Sequence, residues 1–295
     1  LGACSFGILS TFVKIAYQDG FTPGDVTGSQ AFFGMVILWP IYLLQKNKIA
    51  SSKNKQRSQT ATSWWKLVLA GTSTGLVSIF YYQCVQLIPA SIAIILLMQF
   101  TWISMLLEAL FFKQKPTPLH YLAVILVLIG TILASGLLNV QVQHLDVKGL
   151  CLGLLAAFCY AVFLMINGRV GNDLPPIKKS ALMLTGACTL IFIIFPPVFL
   201  FNGALMNGLF KWAIILSIFG TVIPPIFFAT GIPKIGVALT AIVSSVELPV
   251  AVSMSYFVLT EDVDVKQWIG IIIILSAIVI PNLNRLSKKN RGALL

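Results

Sequence analysis

The sequence predicts an all-α integral membrane protein, with ten transmembrane helices arranged as two inverted five-helix repeats. Three observations predict it: a composition too apolar for a water-facing fold, ten apolar runs of membrane length, and basic residues gathered on one side. Of the 295 residues, 58% are hydrophobic and 10% are charged, and the mean hydropathy is +0.93. A soluble domain carries about 25% charged residues, so this chain cannot cover a folded surface with solvated groups. The soluble globular and disordered classes are both excluded. A spanning helix needs roughly 20 apolar residues, and ten of them with short connections use the whole chain.

The first span, Leu1–Tyr17, is apolar from its start and stops at Asp19 and Gly20. Residue 1 is Leu, so the natural start is expected upstream, with a spanning helix here in preference to a signal segment. Val26–Leu44 follows Pro23 and Gly24 and gives way to Lys46–Ser63, the longest polar stretch. Trp65–Leu87 ends before Pro89, and Ser91–Phe112 ends at Lys113. Leu119–Leu138 opens after Pro118, and Gly149–Asn167 opens after Lys148. Ala181–Phe201 follows Lys178 and Lys179, and Trp212–Thr230 follows Lys211. Val237–Leu259 runs from Gly236 to an acidic cluster, and Trp268–Leu283 precedes the basic tail. Backbone groups in lipid must be bonded within their own segment, so each run is a helix. The alternating strands of an outer-membrane barrel are absent.

Charge sets the orientation. Twenty Lys and Arg against nine Asp and Glu give a formal charge of +11. With the first helix running from inside to outside, sixteen basic residues fall inside, among them Lys53, Arg57, Lys113, Arg169, Lys179 and Arg285. The outside receives Lys148, Lys211 and Lys266, with Asp19, Asp25, Asp146, Glu261, Asp262 and Asp264. The positive-inside rule then predicts a cell-membrane protein with both termini and the Lys46–Ser63 loop cytoplasmic. The basic excess is thus a topology signal, and the expected partners are the lipid bilayer and a small molecule, with no nucleic acid. Cys4, Cys84, Cys151, Cys159 and Cys188 show no CxxC pair. They read as small core residues, not as disulfides or metal ligands.

A shift of 147 residues lays Tyr82–Ala93 on Ala229–Thr240, and Phe112–Gly130 on Leu259–Ala277. Tyr121 then meets Trp268, and Ala123 meets Gly270. Five helices is an odd number, so the second copy enters the membrane upside down. The basic loop after the fourth span and the acidic loop after the ninth agree with that inversion. The predicted repeats are 1–138 and 149–285, followed by a cytoplasmic tail 286–295. Inverted repeats are a transporter architecture, with the substrate site near the midplane where the halves meet.

Three stretches carry a family resemblance. Phe6–Lys14 reads FGILSTFVK; the third to fifth spans contain YYQCVQLIPASIA; the ninth and tenth contain VELPVAVSMSYFVLTEDVDVKQWIG. Together the chain resembles the EamA branch of the drug/metabolite transporter superfamily over nearly its whole length. It departs from the family pattern at Phe6, Gln30 and Gln114, where Trp, Arg and Glu are usual. The resemblance implies that helices one, three, four, six, eight and nine line a central cavity while the last helix of each half packs outside. It also implies a secondary transporter exporting a small metabolite such as an amino acid, or a drug-like amphipathic compound, by alternating access.

Beyond the first two residues of each span, three ionisable residues fall within the predicted spans: Lys14, Glu108 and Glu247. A charge at the bilayer centre costs at least about 2.5–3.5 kcal/mol, so each is a functional candidate. Lys14 lies one turn from the outer end of its helix, within snorkelling reach of the interface. Glu108 lies near Lys113 and Lys115 and reads first as an interfacial ion pair. Glu247 lies near the middle of its helix, on one stripe with Thr240 and Ser244. Pro249 is expected to leave the Ser245 carbonyl without its usual donor. Such a carboxylate is neutral when dry and ionises when water or a cation reaches it, which is the linkage a proton-coupled carrier needs.

Neutral candidates are Ser78, Tyr82 and Gln86 on one face of the third helix, Gln99 and Trp102 on the fourth, and Tyr160 on the sixth. Thr221 with Pro224 and Pro225 reads as a mid-membrane hinge in the eighth. Gly71 and Gly75 form a GxxxG packing motif. His120 and His144 are the two histidines, and no HExxH or Walker motif occurs, so no enzyme, cofactor or metal is predicted. The competing reading, from another class, is a non-transporting membrane scaffold or partner subunit whose polar stripes serve packing alone.

Overall fold

A computed structural model of the chain describes residues 1–52, 62–88, 90–113, 116–136, 146–260 and 262–292. Lys53, Arg57, Pro89, Gln114, Lys115, His144 and Glu261, named above, lie outside these described residues, as does the expected end of the fifth span at Leu138.

The described residues form ten helices in the order expected. Helix 1 is Gly2–Gln18, helix 2 Pro23–Ser52 and helix 3 Trp64–Leu87. Helix 4 has two parts, Ala90–Met98 and Phe100–Phe112, and helix 5 is Pro118–Ala134. Helix 6 is Val147–Arg169, helix 7 Pro176–Ile194 and helix 8 Leu205–Ile235. Helix 9 again has two parts, Val237–Ser244 and Glu247–Val258, and helix 10 is Val265–Gly292. Seven of them are long and apolar enough to cross a membrane by themselves, and Pro118–Ala134 and Val265–Ile280 are shorter apolar helices. Ten is even, so helix 1 begins and helix 10 ends on one face of the bundle, called here the terminal face.

Local chemistry explains where the boundaries differ from expectation. Helix 7 starts at Pro176, five residues early, because a first-turn proline loses no hydrogen bond. It stops at Ile194 because Phe195 precedes the pair Pro196–Pro197, which disfavours helical backbone. Helix 8 opens with a kinked lead-in, Leu205–Leu209, whose Asn207 and Gly208 (φ 106°) are non-helical, and continuous helix runs from Phe210 instead of Trp212. Helix 2 opens with a reciprocal cap: the Thr22 N–H donates to Asp25, and the Asp25 N–H donates to Thr22 Oγ1.

The helices pair as an inverted repeat requires. Helix 1 packs on helix 9 as helix 6 packs on helix 4; helix 3 packs on helix 7 as helix 8 packs on helix 2. Helices 5 and 10, each last in its half, pack on one another. The breaks in helices 4 and 9 fall in the same register. Gln99 and Val246 stand 147 positions apart with φ/ψ of −59°/−19° and −59°/−18°. Each donates its N–H three residues back, Gln99 to Leu96 and Val246 to Val243.

Small residues permit these contacts. A Cβ added at Gly71 would collide with the Met183 carbonyl oxygen, and one at Gly186 with that of Val68, so helices 3 and 7 meet backbone to backbone. The GxxxG pair is therefore a packing motif. Of the five cysteines, Cys84, Cys159 and Cys188 are buried, whereas Cys151 is exposed and Cys4 half-buried, so only three are core residues.

Candidate functional site

Where the two halves meet, the bundle encloses a cavity of about 660 Å³, within the usual range for a small-molecule site. On the face opposite the terminal face it reaches the loop residues Asp262 and Val263. Helix 1 lines it with Phe6, Ser10, Lys14 and Tyr17, and helix 3 with Thr74, Ser78, Tyr81 and Tyr82. Helix 6 adds Tyr160, Phe163 and Asn167; helix 9 adds Glu247. Helices 2 and 7 also contribute, through Thr27 and Gln30 and through Ser180 and Met183. Ala134 of helix 5 and Gln267 of helix 10 also reach it, so the lining set implied by the family resemblance omitted four helices, including the two expected to pack outside.

Glu247 opens the second half of helix 9, one residue past the break. Helix 1 reaches its backbone at Gly7, where a Cβ would lie 2.5 Å from the Glu247 carbonyl oxygen. Tyr81, Tyr82 and Tyr160 all stand within electrostatic reach of its carboxyl group. Phe6, Tyr160, Phe163 and Phe228 form a closed circuit of ring contacts, with centroids 5.9–6.4 Å apart. Tyr17 and Tyr82 pack edge to face at 6.4 Å toward the opposite face. Proline 249 does not orphan the Ser245 carbonyl as expected, because the Leu248 N–H reaches it at 3.3 Å.

Among the described residues, seven buried side-chain polar atoms lack a protein hydrogen-bond partner: those of Thr11, Tyr17, Thr27, Tyr160, Asn167, Ser180 and Glu247. All seven residues line this one cavity. Buried polar groups are ordinarily paired, since leaving one unpaired costs about 1–3 kcal/mol. Their concentration here marks a surface with hydrogen-bonding capacity directed at something other than the protein.

The sequence-predicted residues separate into two groups. Glu247, Tyr82, Tyr160 and Lys14 line the cavity; Ser78 and Thr221 do too. Tyr82 also points its hydroxyl at Gln30 Oε1, 3.4 Å away. Thr240, Ser244, Gln86, Gln99 and Trp102 do not line it. Thr240 and Ser244 are buried elsewhere, at 4% and 1% exposure, because the helix break turns Glu247 off their stripe. Gln86 faces outward near the end of helix 3. Gln99 serves the helix 4 break: its Nε2 donates to the Ile95 carbonyl at 2.9 Å, and its Oε1 accepts from Trp102 Nε1 at 2.8 Å. In helix 9, Pro249 stands at the position equivalent to Trp102.

Thr221 belongs to a π-helical segment, Ser217–Val222, directly before the prolines. Thr221 and Ser217 both donate to the Gln30 carbonyl, so the expected hinge is a widened turn braced against helix 2. Glu108 does not pair with Lys113. It pairs with Arg169 at 3.3 Å, and its other oxygen accepts the Ala238 N–H at 2.9 Å. Sequence reasoning missed Asn167, Ser180, Thr27 and Thr11. A polar residue in an apolar helix was the available signal, but nothing in the spacing told cavity from packing.

Comparison with known proteins gives concordant results. The model of the EamA-like transporter family matches residues 1–136 and 147–283. The uncharacterized transporter YcbK of Bacillus subtilis is 24% identical over 253 residues, 83% of this chain and 78% of that protein. The threonine/homoserine exporter RhtA of Escherichia coli K12 is 29% identical over 165 residues, which span 54% of this chain and half of that exporter. A crystal structure of another protein superposes with a TM-score of 0.73 at 16% identity, covering 97% of this chain and 96% of that one. That likeness concerns the fold.

Proposed function

The chain belongs to the EamA-like transporter family, and from that premise we propose that it exports a small metabolite carrying an ammonium group, such as an amino acid or an amphipathic amine. It is a multi-pass membrane transporter and not an enzyme. The observation that supports the finer reading is the cavity itself, where Glu247 and six other unpaired buried polar side chains line one space walled by aromatic rings. Glu247 meets the ammonium group or exchanges a proton with the medium; aromatic faces add cation–π attraction, worth about 0.5–2 kcal/mol. Gln30, Thr27, Asn167 and Ser180 offer hydrogen bonds to the remainder of the substrate. The likeness to RhtA, a threonine/homoserine exporter, supports the same substrate class.

In this reading the repeats are 1–138 and 149–285, the tail 286–295 is cytoplasmic, and the terminal face is the cytoplasmic face of the cell membrane. Efflux from proteoliposomes preloaded with a panel of labelled amino acids and amines tests it. Saturable export of at least one ammonium compound is expected. Correctly inserted protein that moves none of the panel would favour the scaffold reading.

A further inference from the structure

Two equivalent inverted halves would give a carrier whose two open states are interchangeable, since exchanging the halves converts one state into the other. This structure departs from that balance at a charged cluster on the terminal face. On the terminal face, Glu108 of helix 4 binds Arg169 at the end of helix 6 and the Ala238 N–H in the first turn of helix 9. The Arg169 guanidinium lies 3.3 Å from the centroid of the Phe112 ring, and His120 of helix 5 stands within electrostatic reach of Glu108. Glu108 is almost fully covered, its side chain 7% exposed against 30% for Arg169. Three helices from both halves, 4, 6 and 9, are therefore joined through one carboxylate.

The repeat register shows what the opposite face has instead. The positions equivalent to Glu108, Arg169 and Ala238 are Ser255, Thr22 and Ser91. No opposite charges stand there, and Ser255 lines the cavity on the side where that cavity reaches Asp262. We propose that the Glu108–Arg169 pair is a one-sided latch: it holds the terminal face closed and makes the state open to the opposite face the resting state of the carrier. Neither residue of the pair lines the cavity, so it acts on the balance of states and not on substrate contacts. This inference rests on the alternating-access reading, but its test needs no substrate and no flux, so either can fail alone.

The test uses the full chain in membrane vesicles, with the five native cysteines replaced and Ser10→Cys as a reporter inside the cavity. A membrane-impermeant maleimide is applied from each face in turn. The parent is expected to label from the face opposite the termini. In Glu108→Gln or Arg169→Gln, labelling from the terminal face should rise about tenfold while labelling from the other face falls to about half, as a shift toward equal populations requires. A rise from both faces together would mean unfolding, and a second variant then decides. Thr22→Arg with Ser255→Glu places a counterpart latch on the opposite face and removes no native contact of the first. It should reduce labelling from that face and raise it from the terminal face. Side preference unchanged from the parent in these variants would overturn the proposal.

Discussion

Lys113 and Thr260 share a φ of 53°, and among the described residues no other non-glycine residue has a positive φ. They stand 147 positions apart, one just past helix 4 and the other just past helix 9. A left-handed backbone costs an ordinary residue about 1–2 kcal/mol. The same costly turn recurs at the same register because the same chain path is repeated upside down.

Glycine relieves that cost at either site. Lys113→Gly and Thr260→Gly should each stabilise by about 0.5–1 kcal/mol, read as a higher melting temperature in detergent. A drop for one and a gain for the other would separate the two turns.

Gln99 and Trp102 brace the break in helix 4 and do not face the cavity. Gln99→Leu frees the Ile95 carbonyl from its side-chain donor, which should destabilise by about 1 kcal/mol without changing apparent substrate affinity. Trp102→Phe should likewise leave affinity at the parent value. An altered KM with an unchanged melting temperature would return both residues to the binding site.

Tyr160 presents the opposite case. Its hydroxyl is buried without a protein partner, although its ring packs 4.3 Å from that of Phe100. Tyr160→Phe keeps the ring contacts and removes only the unpaired group. The fold should lose nothing, while substrate affinity falls several-fold, the effect of one lost hydrogen bond worth about 0.5–1.5 kcal/mol. Parent affinity with a raised melting temperature would make the hydroxyl a mere defect in packing.

Single added cysteines at Lys53 and Asp262 report orientation. In the proposed orientation, read from the one-sided basic residues, Lys53 lies in the cytoplasm and Asp262 outside. An impermeant reagent added outside should modify the Asp262 site alone, and modification of the Lys53 site alone would invert the orientation.

Much of this was legible in the sequence because membrane spans obey two strong constraints, length and backbone self-satisfaction. The ten helices followed from them, the inverted repeat from the 147-residue shift with an odd helix count per half, and Glu247, which lines the cavity, from its depth within a span. The rest depended on local geometry that a uniform helical wheel does not carry. Thr240 and Ser244 share a stripe with Glu247 only while helix 9 is unbroken, and the turn at Ser245–Val246 rotates the carboxylate away from them. Gln99 and Trp102 had the composition of a site but the task of a helix break. Arg169 lies 61 residues from Glu108, so their pairing emerges only when helices 4 and 6 are packed.

Glu247 is the group proposed to meet the substrate's ammonium or the coupling proton. Glu247→Gln keeps the size and hydrogen-bonding capacity of the side chain but cannot ionise. The decisive measurement is substrate flux in proteoliposomes, parent against Glu247→Gln, from mildly acidic to mildly alkaline buffer. The variant is expected to fold and insert normally while losing pH-dependent flux or weakening its grip on cationic substrates. Flux equal to the parent's at every pH would make Glu247 a structural residue and leave a neutral cavity that moves its substrate without ion coupling.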